Sequence, residues 1–322
     1  MRVASWKKMR ALSGGKDGVA ARELVVLGTA SQAPTRQRNH NGYFLRWDNE
    51  GLLFDPGEGT QRQMLLAGVA SSGITRILLT HFHGDHCLGL PGILQRLSLD
   101  RVGHPVDVYF PASGTPYFER LRHASIFDSQ VELRVHAVEE PGEVDAAPGL
   151  RILADRLRHR ADAFGWRLEE APGVRMLPER LEALGVRGPE IARLQAAGEI
   201  EAGGRTVRLE EVSRLRPGQS FAFVMDTAVC EGAVRLAEGV DLLVSESTFL
   251  TSEAELAAAW GHLTAADAAR IAAGAGARRL VLTHFSQRHS DERLFLDEAL
   301  PIFPDSIAAR DLTRVEVPPR AV

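Results

Sequence analysis

The chain has 322 residues, 44% of them hydrophobic and 25% charged, and a formal net charge of −4 at pH 7. That length supports one large domain or two modest ones with a sizeable core, and no apolar run approaches the ~20 residues of a membrane span. The charge balance carries no global signature of a nucleic-acid binder; all three lysines fall in the first 16 residues, so elsewhere a polyanion would be met by arginine.

Residues 1–22 are basic and polar and lack the apolar middle of a signal peptide, so they read as a flexible tail ahead of a domain spanning 23–322. Glu23–Gly28 is the first apolar strand, and Gly42–Trp47 with Leu52–Asp55 forms a hairpin around Asp48–Gly51. A strand over Ile74–Thr80 delivers a histidine cluster and is followed by a helix over Leu88–Leu97, a strand over Val106–Phe110 and a helix over Pro116–His123. From about 170 to 205 the strand rhythm stops. Glycine and proline flank two short amphipathic stretches there, Pro178–Leu184 and Glu190–Ala197, which read as a protruding insertion within the domain. Apolar strands resume at Phe221–Met225 and Val240–Val244, running into Asp226 and Glu246. An alanine-rich helix over Ala265–Ala275 then leads to a strand, Arg279–Thr283, that ends at His284. Such a pattern is an α/β fold with its polar chemistry along one sheet edge. The two cysteines, Cys87 and Cys230, match neither a zinc ribbon nor a disulfide framework, which points to a reducing cytoplasm.

The segment His81-Phe-His83-Gly-Asp85-His86 carries the chemistry. Residues i and i+2 point the same way at the end of a strand, so His81 and His83 can grip one metal while Asp85 and His86 turn toward a second. Imidazole and carboxylate donors suit zinc, with manganese as the alternative. Four residues cannot complete two sites, so distant ligands are required. His284 ends a strand as His81 does, and Asp226 stands where a bridging carboxylate is useful. His159 is the least distinctive by spacing, and a surface histidine is the competing reading. His40, His104, His123, His136 and His289 read as surface or capping residues.

With these motifs the chain resembles the ribonuclease Z family. The resemblance runs from about residue 23 to 318 and rests on Leu27–Thr35, Phe54–Gln61, Thr80–His86, Met225–Thr227, Ser245–Thr248, Gly261–Thr264 and Thr283–Arg288. It implies a metallo-β-lactamase αββα sandwich with a tRNA-binding exosite arm, the insertion at about 170–205. It also implies two Zn2+ per subunit: His81, His83 and His159 on one, Asp85, His86 and His284 on the other, and Asp226 between them. Asp55 would orient a ligand from behind. The activity implied is endonucleolytic removal of the 3′ trailer of precursor tRNA, leaving a 3′-hydroxyl on the tRNA and a 5′-phosphate on the trailer. Asp85 would act as general base, and His262, oriented by Glu246, as general acid. The competing roles are helix capping or ion pairing for Glu246 and a helix-start neighbour for His262. Substrate contacts are implied for Arg36, Arg38 and Asn39 in the Pro34–Asn39 loop, for Ser286 and Arg288, and for Gly188 and Pro189 in the arm. Two departures stand out: Arg36 replaces the family's lysine, and His289 follows Arg288 where the family has tyrosine. In the arm, Arg175, Arg180, Arg187, Arg193 and Arg205 are balanced by five glutamates. A homodimer without membrane association is the expected assembly. A small-ester hydrolase on the same fold, whether phosphodiesterase or arylsulfatase-like, is the alternative, and a non-catalytic binding protein a more distant one.

Overall fold

The computed structural model describes residues 22–147 and 149–320. Strand β1 (Glu23–Gly28) sets the architecture by simple alternation. Leu24 and Val26 enter one buried cluster, while Val25 and Leu27 enter another on the opposite face. Both faces of the sheet must therefore be covered. Strands β2 (Gly42–Trp47), β3 (Glu50–Phe54), β4 (Arg76–Leu78), β5 (Val106–Pro111) and β6 (Leu133–Val138) follow in spatial order. The first three strands run antiparallel, and β3 to β6 run parallel. The chain between them forms helices α1 (Thr60–Ala67), α2 (Gly84–Cys87), α3 (Leu90–Leu99) and α4 (Thr115–Arg122). Met64, Ile93, Leu97 and Phe118 from three of these helices cover the outer face of the sheet.

The second sheet opens with β7 (Gly142–Ala147), β8 (Leu150–Arg156) and β9 (Phe164–Glu169). The insertion comes next: β10 (Gly173–Met176), α5 (Pro178–Ala183), α6 (Pro189–Ala197), β11 (Glu199–Ala202), β12 (Arg205–Arg208) and β13 (Ser213–Arg216). The sheet then resumes through β14 (Ser220–Val224), α7 (Glu231–Ala237), β15 (Leu242–Glu246), α8 (Ala254–Trp260), α9 (Ala265–Ala275), β16 (Leu280–Thr283), α10 (Arg293–Ala299) and β17 (Ser306–Ala308). Its order is β17-β16-β15-β14-β9-β8-β7, while the last strand, β18 (Arg314–Glu316), crosses back to pair with β1. Small residues on α7 and α9, among them Ala233, Ala268 and Ala272, let those helices lie close on this second sheet. The two sheets face each other through Tyr43, Phe54, Phe221 and Phe223, with Phe54 and Phe223 ring centroids 4.7 Å apart. The resulting layers are helix, sheet, sheet, helix. This is the expected αββα sandwich.

Two expectations change in detail. The insertion extends to Arg216 and carries four short strands: β10 pairs with β13 as a stem, and β11 pairs with β12 around Gly203 and Gly204, both at positive φ. Four-residue strands separated by glycine leave too little alternation for a strand reading, which is why the strand rhythm stops there in the sequence. The insertion has its own small core of Leu181, Val186, Leu194, Ala202, Val207 and Val212. Arg22, the last residue of the expected tail, is part of the fold. It is buried, bonds Asp48 and Glu170 at 2.6 Å each, and lies over the Trp47 ring. The rest of that tail lies outside the described residues.

Candidate metal centre

Most side chains of the centre are delivered at or just beyond the end of a strand. β4 runs into Thr80, His81 and His83; the single turn of α2 then presents Asp85 and His86. His159 lies between β8 and β9, Asp226 follows β14, Glu246 ends β15, His262 lies between α8 and α9, and His284 follows β16. Asp55, Asp226 and His284 have φ of 41°, 35° and 61°. Non-glycine residues rarely adopt this left-handed backbone, and when they do so beside a cluster of ionisable groups the strain marks a functional site.

The nitrogens converge on two points. His83 Nδ1 lies 2.9 Å from His81 Nε2 and 3.3 Å from His159 Nε2, and both Nε2 atoms are within 3.7 Å of Asp226 Oδ2. On the other side, His86 Nε2 and His284 Nε2 lie 3.3 and 3.5 Å from Asp85 Oδ2, and 3.3 and 3.1 Å from Asp226 Oδ1. Asp226 therefore gives one oxygen to each group. Its Oδ1 and the Nε2 of His284 are buried and form no hydrogen bond despite their closeness. An unsatisfied buried polar atom costs about 1–3 kcal/mol. Imidazole lone pairs and carboxylate oxygens aimed at a common point are the donor set a divalent cation satisfies, so the residues fit the metals that the sequence implies.

The outer nitrogens are braced from behind, which fixes each tautomer. Asp55 accepts the Thr80 hydroxyl at 2.7 Å and His86 Nδ1–H at 2.9 Å. Thr80 Oγ1, having given its proton to Asp55, accepts from His81 Nδ1 at 3.0 Å. The same relay recurs in the second sheet: Thr248 donates to Glu246 at 2.6 Å and accepts from His284 Nδ1 at 2.8 Å. His159 Nδ1 donates to the carbonyl of Gly261 at 3.0 Å. Burial, then the charge of His86, holds His81 well below the ordinary histidine range; burial lowers His83 too. Neutral imidazole is the form that ligates.

His262 lies beside these ligands, with a ring nitrogen within 4.8 Å of donor atoms of Asp226 and His284. Its Nδ1 is 3.0 and 3.2 Å from the two oxygens of Glu246, a fully buried carboxylate. Burial opposes its protonation, but the charges of Glu246 and Asp226 and the bond to Glu246 push His262 up to about 9. Glu246 accepts three further bonds, from Thr227 N–H and from the amide and hydroxyl of Thr248. These bonds hold Glu246 in one orientation opposite His262.

The centre opens into a cleft of 560 Å3 whose lining includes Ser286 and Arg288. Arg36 is exposed on its loop. Arg38 and the side-chain NH2 of Asn39 are engaged within the protein. Arg38 is buried, donates to the carbonyl of His289 at 2.7 Å, pairs with Glu292 and lies over Phe285, while Asn39 donates to the carbonyls of His40 and Glu58. Both are used to shape the loop. Gly188, at φ 55°, and Pro189 start α6 on the arm and are exposed. His289 pairs with Glu253 at 2.7 Å and His136 with Asp107 at 2.8 Å, so neither joins the centre. Thr80 and Thr248 are the functional residues that sequence reasoning missed. Their one signal is position just past a strand end, Thr80 next to His81 and Thr248 two residues beyond Glu246.

A family model described as the metallo-beta-lactamase superfamily matches residues 35–175, and one described as a beta-lactamase superfamily domain matches residues 206–285. The chain is 61% identical over 305 residues to ribonuclease Z of Nocardia farcinica (strain IFM 10152), covering 94% of this chain and 100% of that one. It is 58% identical over 305 residues to ribonuclease Z of Salinispora arenicola (strain CNS-205), at 94% and 99% coverage. The crystal structure of the short form of human tRNase Z matches with a TM-score of 0.68 at 25% identity, covering 92% of this chain and 99% of that one. Sequence, sandwich and paired donor groups agree, and the chain belongs to the ribonuclease Z family of metallo-β-lactamase-fold hydrolases.

Proposed function

We infer that this chain is a tRNA 3′ endoribonuclease, a metal-dependent phosphodiester hydrolase that removes the 3′ trailer of precursor tRNA. The observation that carries the chemistry is the Asp226 carboxylate set between two imidazole groups, with the Glu246–His262 pair beside it. Membership of the family supports the substrate. Two zinc ions are the proposed occupants, with manganese as the alternative. His81, His83 and His159 would hold one, Asp85, His86 and His284 the other, and Asp226 both. Bound there, the cations would neutralise phosphate charge and acidify the attacking water.

The chain's own residues supply the proton traffic. Asp85, whose Oδ2 is fixed by the Gln32 amide at 2.8 Å, lines the cleft, and its carboxylate would accept a proton from the attacking water. His262 would place its Nε2–H on the departing 3′-oxygen, since Glu246 holds the other ring nitrogen. The products would be a 3′-hydroxyl on the tRNA and a 5′-phosphate on the trailer. Arg36, Ser286 and Arg288 are the proposed phosphate contacts. The arm, with Gly188-Pro189 at its exposed turn, is the proposed clamp on a distant region of the tRNA. A homodimer and a cytoplasmic setting complete the proposal. Among the described residues no helix is long and apolar enough to cross a membrane.

The test is to offer precursor tRNA carrying a 3′ trailer, with and without chelator, and to map the ends. Chelator-sensitive cleavage at the trailer junction is expected. Failure to cut that substrate while hydrolysing a small phosphodiester would overturn the reading.

A further inference from the structure

We propose that Trp260, backed by Arg160, is the shelf on which the last nucleobase retained by the tRNA stacks while its 3′-phosphate lies at the metal centre. The proposal rests on the reading of the site as a precursor-tRNA nuclease. α8 ends at Trp260, and Gly261, at φ 74°, reverses the chain. The amides of Gly261 and His262 return to the carbonyls of Ala258 and Ala257 at 3.4 and 2.9 Å, closing the helix end. Three consecutive residues thus carry three elements of the site. Trp260 puts an indole on the cleft wall, Gly261 braces His159 through its carbonyl, and His262 faces Glu246.

One face of the indole is already occupied. The Arg160 guanidinium carbon lies 4.2 Å from the ring centroid, and Arg160 Nη2 donates to the carbonyl of Ala259 at 2.9 Å. Trp260 is nonetheless 48% exposed as a residue and belongs to none of the four buried clusters, so core packing does not explain it. Trp260 and Arg160 share the cleft with His262, Ser286 and Arg288. A rigid indole polarised by a cation on one side is a stacking surface for a nucleobase, and stacking accepts any base because each has a π face. The shelf is assigned to the retained side because His262, two residues on, is the group proposed to protonate the oxygen that leaves with that nucleotide.

The experiment compares wild type, Trp260→Ala and Trp260→Phe on three precursors: one unmodified, one abasic at the last retained nucleotide, one abasic at the first trailer nucleotide. Trp260→Ala should lower kcat/KM on the unmodified precursor roughly 10-fold, with Trp260→Phe keeping most of the activity and metal content unchanged in both. The retained-side abasic precursor should cost wild type a similar factor and Trp260→Ala nothing more; the trailer-side lesion should leave the ratio between the two proteins intact. Equal activity of Trp260→Ala and wild type, multiplying losses on the retained side, or non-additivity on the trailer side would each overturn the shelf. Failure of wild type to cut any precursor would instead remove the functional reading beneath it.

Discussion

Thr80 and Thr248 each stand between a carboxylate and an imidazole, passing a proton-donor bond to Asp55 or Glu246 and accepting one from His81 or His284. Such outer partners typically set metal affinity by 10–100-fold. Thr248→Val, which keeps the shape and removes the hydroxyl, should weaken metal binding by about that factor. Thr248→Ser should bind nearly as wild type in a competition titration against a chromophoric chelator, and equal affinity of the two variants would discard the relay. His262→Ala tests the other use of Glu246. Turnover of precursor tRNA should fall by roughly 10²–10⁴-fold with the metal content of the protein intact; wild-type turnover would leave His262 without the acid role. At this scale the sequence was informative wherever residue type limits function: three histidines and an aspartate within six residues have few other uses. Threonine, arginine and asparagine have many. The burial of Arg38 depends on Glu292 and His289, and the main-chain position of Asn39 on Asp311, all partners supplied from the far end of the chain.

The arm is joined to the sandwich through Glu170, which bonds Arg22 at 2.6 Å, the Gln219 amide at 3.0 Å and the Arg216 guanidinium at the foot of β13. Burial opposes its ionisation, but bonds from Arg216 and Arg22 hold it down to about 2, below its ordinary 4.5. A carboxylate with a depressed folded pKa stabilises above its unfolded value and loses that contribution as pH falls through the folded one. The urea midpoint of wild type should therefore drop more steeply between pH 4.5 and about 2 than that of Glu170→Gln; parallel curves would show that the clamp contributes nothing. Because the arm has its own core, replacing residues 173–216 by a short glycine linker should leave the sandwich folded. The excised protein should need more precursor tRNA to reach half-maximal rate, with hydrolysis of a small phosphodiester unchanged, whereas equal loss on both would end the clamp proposal. The long apolar strands of both sheets were legible because a continuous run of four or more buried residues leaves few alternatives. Strands β6 to β8 and β10 to β13 were not, since they are short, charged or half exposed and take their register from neighbours.

Across the whole molecule, the donors come from opposite halves of the sandwich. His81, His83, Asp85 and His86 follow a strand of the first sheet, while His159, Asp226 and His284 follow strands of the second. Anything that binds only the folded state stabilises it by mass action, so saturating metal should raise Tm on the order of 5–10 °C over the chelated protein; a Tm indifferent to chelator would argue that the donors do not hold a cation. A consequence reaches beyond catalysis. Ions held between the halves would act as rivets across the aromatic seam of Phe54 and Phe223, so that the sheets melt together. Stripped of metal, the sheets would still share that seam and the β18–β1 pairing, so the chain should melt in one step at a lower temperature, with the ratio of calorimetric to van't Hoff enthalpy near one.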